Sequence, residues 1–136
     1  WSSDVCSSDL GFVYDACGVT DINRLYVVAD VLITDYSSVF FDYANLHRPM
    51  LFYMYDLASY AGEIRGFYID LDCLPGPIVE TQADLHRVLH AVEADKSRYA
   101  EKYAAFNARF NYLDDGHAAQ RVVERVVLDR DGANVV

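Results

Sequence analysis

Residues 31–44, VLITDYSSVFFDYA, set an acid, two hydroxyls and a second acid directly after an apolar run. Asp35, Ser37, Ser38 and Asp42 are of the types that handle phosphate and sugar groups. If Ser37 and Ser38 open a helix, the free N–H groups of its first turn carry partial positive charge, and a phosphate oxygen can accept from them. The serine hydroxyls add donors without blocking approach to the backbone. Asp42, one turn further on, can accept from a ribose placed beside the same phosphate. The same residues have a plainer use. Serine is a favoured N-cap, worth about 1 kcal/mol, and an acid near a helix start needs no ligand to explain it. Asp35 fixes a turn as readily as it touches a ligand, and Tyr36 can simply pack. Local spacing leaves both readings open.

The elements that must position these residues follow from periodicity. Val31-Leu32-Ile33 is a short continuous apolar run, the pattern of a strand buried on both faces. Before it, residues 20–29 (TDINRLYVVA) predict a helix capped by Thr20, with Ile22, Leu25, Tyr26 and Ala29 on one face. After it, Ser37 to His47 predicts a helix with Phe40, Tyr43, Ala44 and His47 at helical spacing, stopped at Arg48-Pro49. Met50-Leu51-Phe52-Tyr53 is a second apolar run. Strand, helix, strand within so few residues is a compact βαβ unit with parallel strands and a right-handed crossover. The fold class is therefore α/β, half of a doubly wound parallel sheet, and the turn at 34–38 lies at the edge where such sheets bind ligands.

Downstream, the pattern predicts a helix over Leu57 to Ile64, an extended Ile69-Asp70-Leu71, a rigid Pro75-Gly76-Pro77 loop and a short strand at Ile78-Val79. Thr81-Gln82-Ala83-Asp84 resembles a capping box with Asp in place of Glu. It opens a helix with Leu85, Val88, Leu89 and Val92 on one face. Ser97 is the expected cap of the next helix, which carries Tyr99, Tyr103, Phe106 and Phe110. Asp114-Asp115-Gly116 breaks the chain before a last helix bearing Ala119, Val122, Val123, Val126 and Val127, and 131–136 reads as a frayed tail.

The chain's 136 residues suffice for one domain with a real core. A net charge of −10 argues against a nucleic-acid partner or a membrane surface built by this segment. No apolar run approaches the roughly 20 residues of a membrane span. The opening decapeptide WSSDVCSSDL can be a polar tail or a signal peptide without an apolar centre. It also reads through from TGG AGT TCA GAC GTG TGC TCT TCC GAT CT, which resembles a common sequencing adapter, and residues 1–10 are taken as that artefact. The chain proper is then the tail of a longer protein. Without Cys6, Cys17 and Cys73 remain, too few for a disulfide framework or a cysteine-rich metal site, as in a reduced, cytosolic protein.

Other candidates carry paired readings. Arg65, in Arg65-Gly66-Phe67-Tyr68, can reach a diphosphate bidentately past a glycine that admits close backbone approach. It can equally pair with Glu63, Asp56 or Asp70. Gly76 either shapes a loop near the site or supplies rigidity. His86 and His90 have the i, i+4 spacing that can hold a metal on a helix, but no third ligand is evident and solvated positions are the expectation. His47 reads as a helix-end residue interacting with the dipole. Neither metal nor cofactor is expected.

The ordered set DYSS, RGFY, PGP with Ile78-Val79, and Leu113-Asp114-Asp115-Gly116 resembles the C-terminal part of the CDP-glycerol glycerophosphotransferases, the teichoic-acid primases and polymerases of bacterial cell walls. The resemblance spans nearly all of residues 20–127. It implies a glycosyltransferase B-type fold of two Rossmann-like domains, of which residues 11–130 would be a partial C-terminal, donor-nucleotide-binding domain with C-terminal helices. The implied donor is CDP-glycerol, the acceptor a polyol-phosphate polymer, and a missing N-terminal domain the structural partner. The implied location is cytoplasmic, at the inner face of the plasma membrane. Ser37 and Ser38 match the family's phosphate-binding serines; Asp42, Arg65, Asp35 and Gly76 complete the candidate substrate-binding set. The family's catalytic histidines, in Trp-His-Gly and His-Pro contexts, have no match here, so no catalytic residue is assigned to this chain. Two other readings remain: a B-type glycosyltransferase or epimerase using another nucleotide sugar, and a non-catalytic nucleotide-binding module.

Overall fold

The computed structural model describes residues 13–59, 69–92 and 96–128. Its centre is a three-stranded parallel sheet: β1 (Leu32–Thr34), β2 (Met50–Tyr53) and β3 (Ile78–Val79), in the order β1-β2-β3. Ile33 pairs with Leu51, and Phe52 with Ile78. Helices α1 (Ile22–Val28), α2 (Val39–Ala44), α3 (Leu57–Ser59), α4 (Gln82–Ala91), α5 (Lys96–Phe110) and α6 (Ala118–Val122) surround it. A 3₁₀ turn at Leu71–Cys73 precedes β3, and α6 continues as a π turn over Val123–Val127.

Because side chains alternate along a strand, β2 feeds two cores. Met50, Phe52 and Met54 join Tyr26, Phe40, Tyr43, Leu74 and Phe106 on one face, while Leu51 joins Val79 and Val88 on the other. Phe52 and Phe106 are wholly buried; truncating such a ring to Ala costs about 3–5 kcal/mol. Ring contacts extend this core outward: Phe41 meets Phe106 at 5.4 Å and Phe110 at 5.3 Å. The larger core thus joins α2, which carries the serine turn, to β2 and α5.

Several elements differ from expectation for local reasons. Asp21, not Thr20, caps α1, its carboxylate accepting from the Asn23 N–H at 3.1 Å. Ile33 is 45 % exposed, although β1 was expected to be buried on both faces. The cause is that α4 packs on β2 and β3 and leaves β1's second face open. Asp70 keeps an extended backbone (φ −65°, ψ 128°), but its carboxylate accepts from the Asp72 N–H at 3.1 Å and starts the 3₁₀ turn, so Leu71 does not continue the extended stretch. Ser97 lies inside α5, so it does not cap it. Thr81 does cap α4, with its hydroxyl accepting from the Asp84 N–H at 3.1 Å. The valines of the last helix are largely exposed rather than packed. Of the expected 57–64 helix the described part is Leu57–Ser59. Arg65 and the tail lie outside the described residues.

Candidate functional site

The turn after β1 and the segment after β2 emerge at the same edge, because the two strands are parallel and in register. Asp35 accepts from the Ser37 N–H at 3.2 Å through Oδ1. This local carboxylate–backbone bond folds the turn and presents Ser37 and Ser38 outward; both are exposed. The helix begins only at Val39, two residues later than its first hydroxyl. Ser38 stands at the N-cap position in helical conformation (φ −70°, ψ −3°) and makes no side-chain cap bond. Simple capping by the Ser38 side chain is therefore not what the residue does. Asp42, exposed in the first turn of α2, stands on the same short helix.

Tyr36 is the residue whose role the spacing did not reveal. Its ring packs against the larger core, while its hydroxyl donates to Asp56 Oδ1 at 2.8 Å. That bond links the loop following β1 to the one following β2. The signal was present: each acid or phenol sits just past an apolar run, and consecutive parallel strands bring such positions together.

The other candidates separate. Gly76 immediately precedes Pro77 and β3, at the opposite edge of the sheet from the serines. A Cβ there would lie 2.2 Å from the Met50 carbonyl oxygen, so glycine permits a backbone contact with β2. Gly76 also lines an apolar cavity of about 270 Å³ with Met50, Val88, Tyr99 and Tyr103. Asp35, Ser37 and Ser38 thus share one turn and Asp42 stands on the helix that follows it, while Gly76 lies at the other end of the strands.

His86 and His90 point their Nε2 atoms at each other, 3.2 Å apart on an exposed helix face. Among the described residues no group of three or more His, Cys, Asp or Glu could hold a metal ion. His47 ends the α2 segment in the left-handed region (φ 53°), its ring 5.7 Å from that of Tyr103. Burial pushes the Tyr103 phenol up from its ordinary value, so it remains a donor, here to the Arg48 carbonyl at 2.8 Å. Both acids of the Asp-Asp-Gly motif bond neighbouring side chains. Asp115 binds Arg121 at 2.7 Å, and Asp114 accepts from Asn45 at 3.2 Å.

Comparison with known proteins decides the assignment. A family model described as CDP-Glycerol:Poly(glycerophosphate) glycerophosphotransferase matches residues 3–128. The chain belongs to this glycerophosphotransferase family. It is 45 % identical over 116 residues to a teichoic acid glycerol-phosphate transferase of Staphylococcus aureus, covering 85 % of this chain and 30 % of that protein. It is 42 % identical over 117 residues to a teichoic acid poly(glycerol phosphate) polymerase of Bacillus subtilis, covering 85 % of this chain but 16 % of the relative. Two solved forms of the wall teichoic acid polymerase TagF superpose closely. One histidine variant gives a TM-score of 0.78 at 38 % identity, covering 90 % of this chain and 30 % of that one. Another, soaked with CDPG, gives 0.79 at 37 %, covering 92 % and 31 %. The chain is accordingly a partial α/β domain of the glycosyltransferase B-type fold, and it spans less than a third of the length of these relatives. No helix among its described residues is long and apolar enough to cross a membrane.

Proposed function

We propose that this chain supplies the donor-binding part of an enzyme that transfers glycerol phosphate from CDP-glycerol to a teichoic-acid-type wall polymer. The observation that carries the reading is the exposed Ser37–Ser38 pair, presented by the Asp35 turn at the C-terminal edge of a parallel sheet, within a chain of this family. An acceptor hydroxyl attacks the β-phosphorus of the donor. The bond from that phosphorus to the bridging oxygen breaks, and CMP leaves with the electron pair. Helix α2 is only six residues long, so its dipole contributes less than a full helix would. The serine hydroxyls and the first free N–H groups of α2 carry the stabilisation of charge developing on the leaving phosphate. Asp42 accepts from the ribose, and Arg65 adds a guanidinium to the diphosphate. The general base comes from the N-terminal domain, and the whole enzyme works on its polymer at the inner face of the plasma membrane.

The test is the Ser37→Ala, Ser38→Ala double variant of the full-length enzyme. Loss of these bonds lowers kcat/KM by about 2–4 kcal/mol of transition-state stabilisation. Wild-type kcat/KM in a folded variant overturns the reading. In competition, CDP should displace the donor better than UDP; the reverse order indicates a different nucleotide donor.

A further inference from the structure

Among the described residues the serine turn has few anchors of its own. Its helix starts after the second serine, and the Ser38 side chain makes no cap bond. The Asp35–Ser37 bond is internal to the turn, shaping it without fixing it to the rest of the molecule. Tyr36 reaches outside. Its ring is packed against the main core, and its hydroxyl spans 20 residues of sequence to Asp56, a half-buried carboxylate just beyond β2. A phenol donating to a carboxylate is a charge-assisted hydrogen bond, shorter and stronger than a neutral one. It sits between the two serines and the next loop along the same sheet edge.

The geometry points to Tyr36 and Asp56 as a pair of positioning residues that fix the Ser37–Ser38 turn against the donor diphosphate. This rests on the serine turn being the donor-phosphate site. Neither residue need touch the donor. Their bond holds the hydroxyl and N–H donors in place before the reaction, so the alignment is not bought from binding energy at each turnover. Because the Tyr36 ring packs independently of its hydroxyl, Tyr36→Phe removes the bond and leaves the packing.

The experiment measures kcat and donor KM in the full-length enzyme for Tyr36→Phe, Asp56→Ala, the two combined, Asp56→Asn and the Ser37→Ala, Ser38→Ala variant. Melting temperature is recorded for each. Tyr36→Phe is expected to lower kcat about tenfold, with a much smaller change in KM, because misplacement costs rate more than it costs ground-state binding. The Tyr36→Phe, Asp56→Ala combination should be no worse than the poorer single variant. Asp56→Asn keeps an acceptor oxygen and should recover most of the rate. If Asp56→Ala fails to fold, Tyr36→Phe and Asp56→Asn carry the test. Wild-type kcat in Tyr36→Phe, beside a serine variant that has lost activity, overturns the positioning pair and leaves the donor site standing. A melting temperature that falls while kcat is unchanged overturns it likewise, as does a double loss equal to the product of the single ones. A serine variant with wild-type kcat/KM overturns the donor site and the positioning pair together.

Discussion

Asn111 donates its side-chain amide to the Phe41 carbonyl at 2.8 Å, and Asn107, one turn earlier on α5, donates to Ala44 at 3.1 Å. The two amides hold α2 from the side, and the Asn111 amide also reaches Asn107 Oδ1 at 3.2 Å. A six-residue helix has no independent stability in water, so the element behind the serine turn depends on this neighbour.

Replacing Asn111 with Ala should therefore cost about 1–3 kcal/mol, since a partly buried carbonyl loses its partner. Urea midpoints of the wild type, the Asn107→Ala and Asn111→Ala variants and their combination check this. The combined loss should differ from the sum, because the two side chains bond each other. Strict additivity contradicts a shared clamp.

Arg48 makes a second prediction. Its Nη1 donates to the Val27 carbonyl at 2.8 Å and the Ala29 carbonyl at 2.6 Å, at the C-terminal end of α1. There a cation also meets the negative end of the helix dipole. Arg48→Met keeps much of the stem and removes the donors, and should cost about 1.5–3 kcal/mol. Arg48→Lys should restore only part of this, because both bonds come from Nη1 and the lysine stem, one bond shorter, does not bring its ammonium to that position. Full recovery in the lysine variant, read by chemical denaturation, points to charge rather than geometry.

The βαβ unit and the apolar faces of α2 and α5 were legible because each follows from a period and a stop signal close by in sequence; on α4 the period held for Leu85, Val88 and Val92 but not for Leu89, which is 38 % exposed. Thr81 was legible as a cap because its partner, Asp84, lies three residues away. Thr20 failed as a cap because a second short polar residue, Asp21, stands beside it and backbone geometry chooses between them. Ile33 was misread because the position of α4 over β2 and β3 is a tertiary fact. The placing of Asp35, Ser37 and Ser38 in one turn, with Asp42 on the helix after it, was legible from spacing alone, whereas the Tyr36–Asp56 bond required knowing that two loops share an edge. Gly76 shows the converse. Its sequence context suggested a loop near the site, and its geometry shows a glycine needed by β2.

A third prediction follows for Gly76. In Gly76→Ala the added Cβ meets the Met50 carbonyl oxygen at 2.2 Å, and that atom belongs to backbone fixed in the sheet. The strand end must shift, at a cost of at least about 1–3 kcal/mol as for other overpacked positions. Donor KM in whatever fraction of the full-length enzyme folds should stay near wild type, since the residue lies at the edge away from the serines. A stable Gly76→Ala protein with a raised donor KM contradicts this placement.

The last prediction concerns acid. Arg121 beside Asp115 holds that carboxyl down, from the usual 3.8 to about 2, with the His117 N–H as a second donor. A folded pKa below the unfolded one means the carboxylate contributes stability that is fully present above about pH 4. The contribution fades as pH falls toward 2, where the folded state also takes up the proton. Asp84, held down by Arg87 and Thr81, shifts in the same direction, so the absolute slope does not isolate Asp115. The difference from Asp115→Asn does. Between pH 4 and 2 the urea midpoint of the wild type should fall more steeply than that of the variant, and high salt should narrow the gap because the pair is exposed. Parallel slopes show that the Arg121–Asp115 pair does not stabilise the fold.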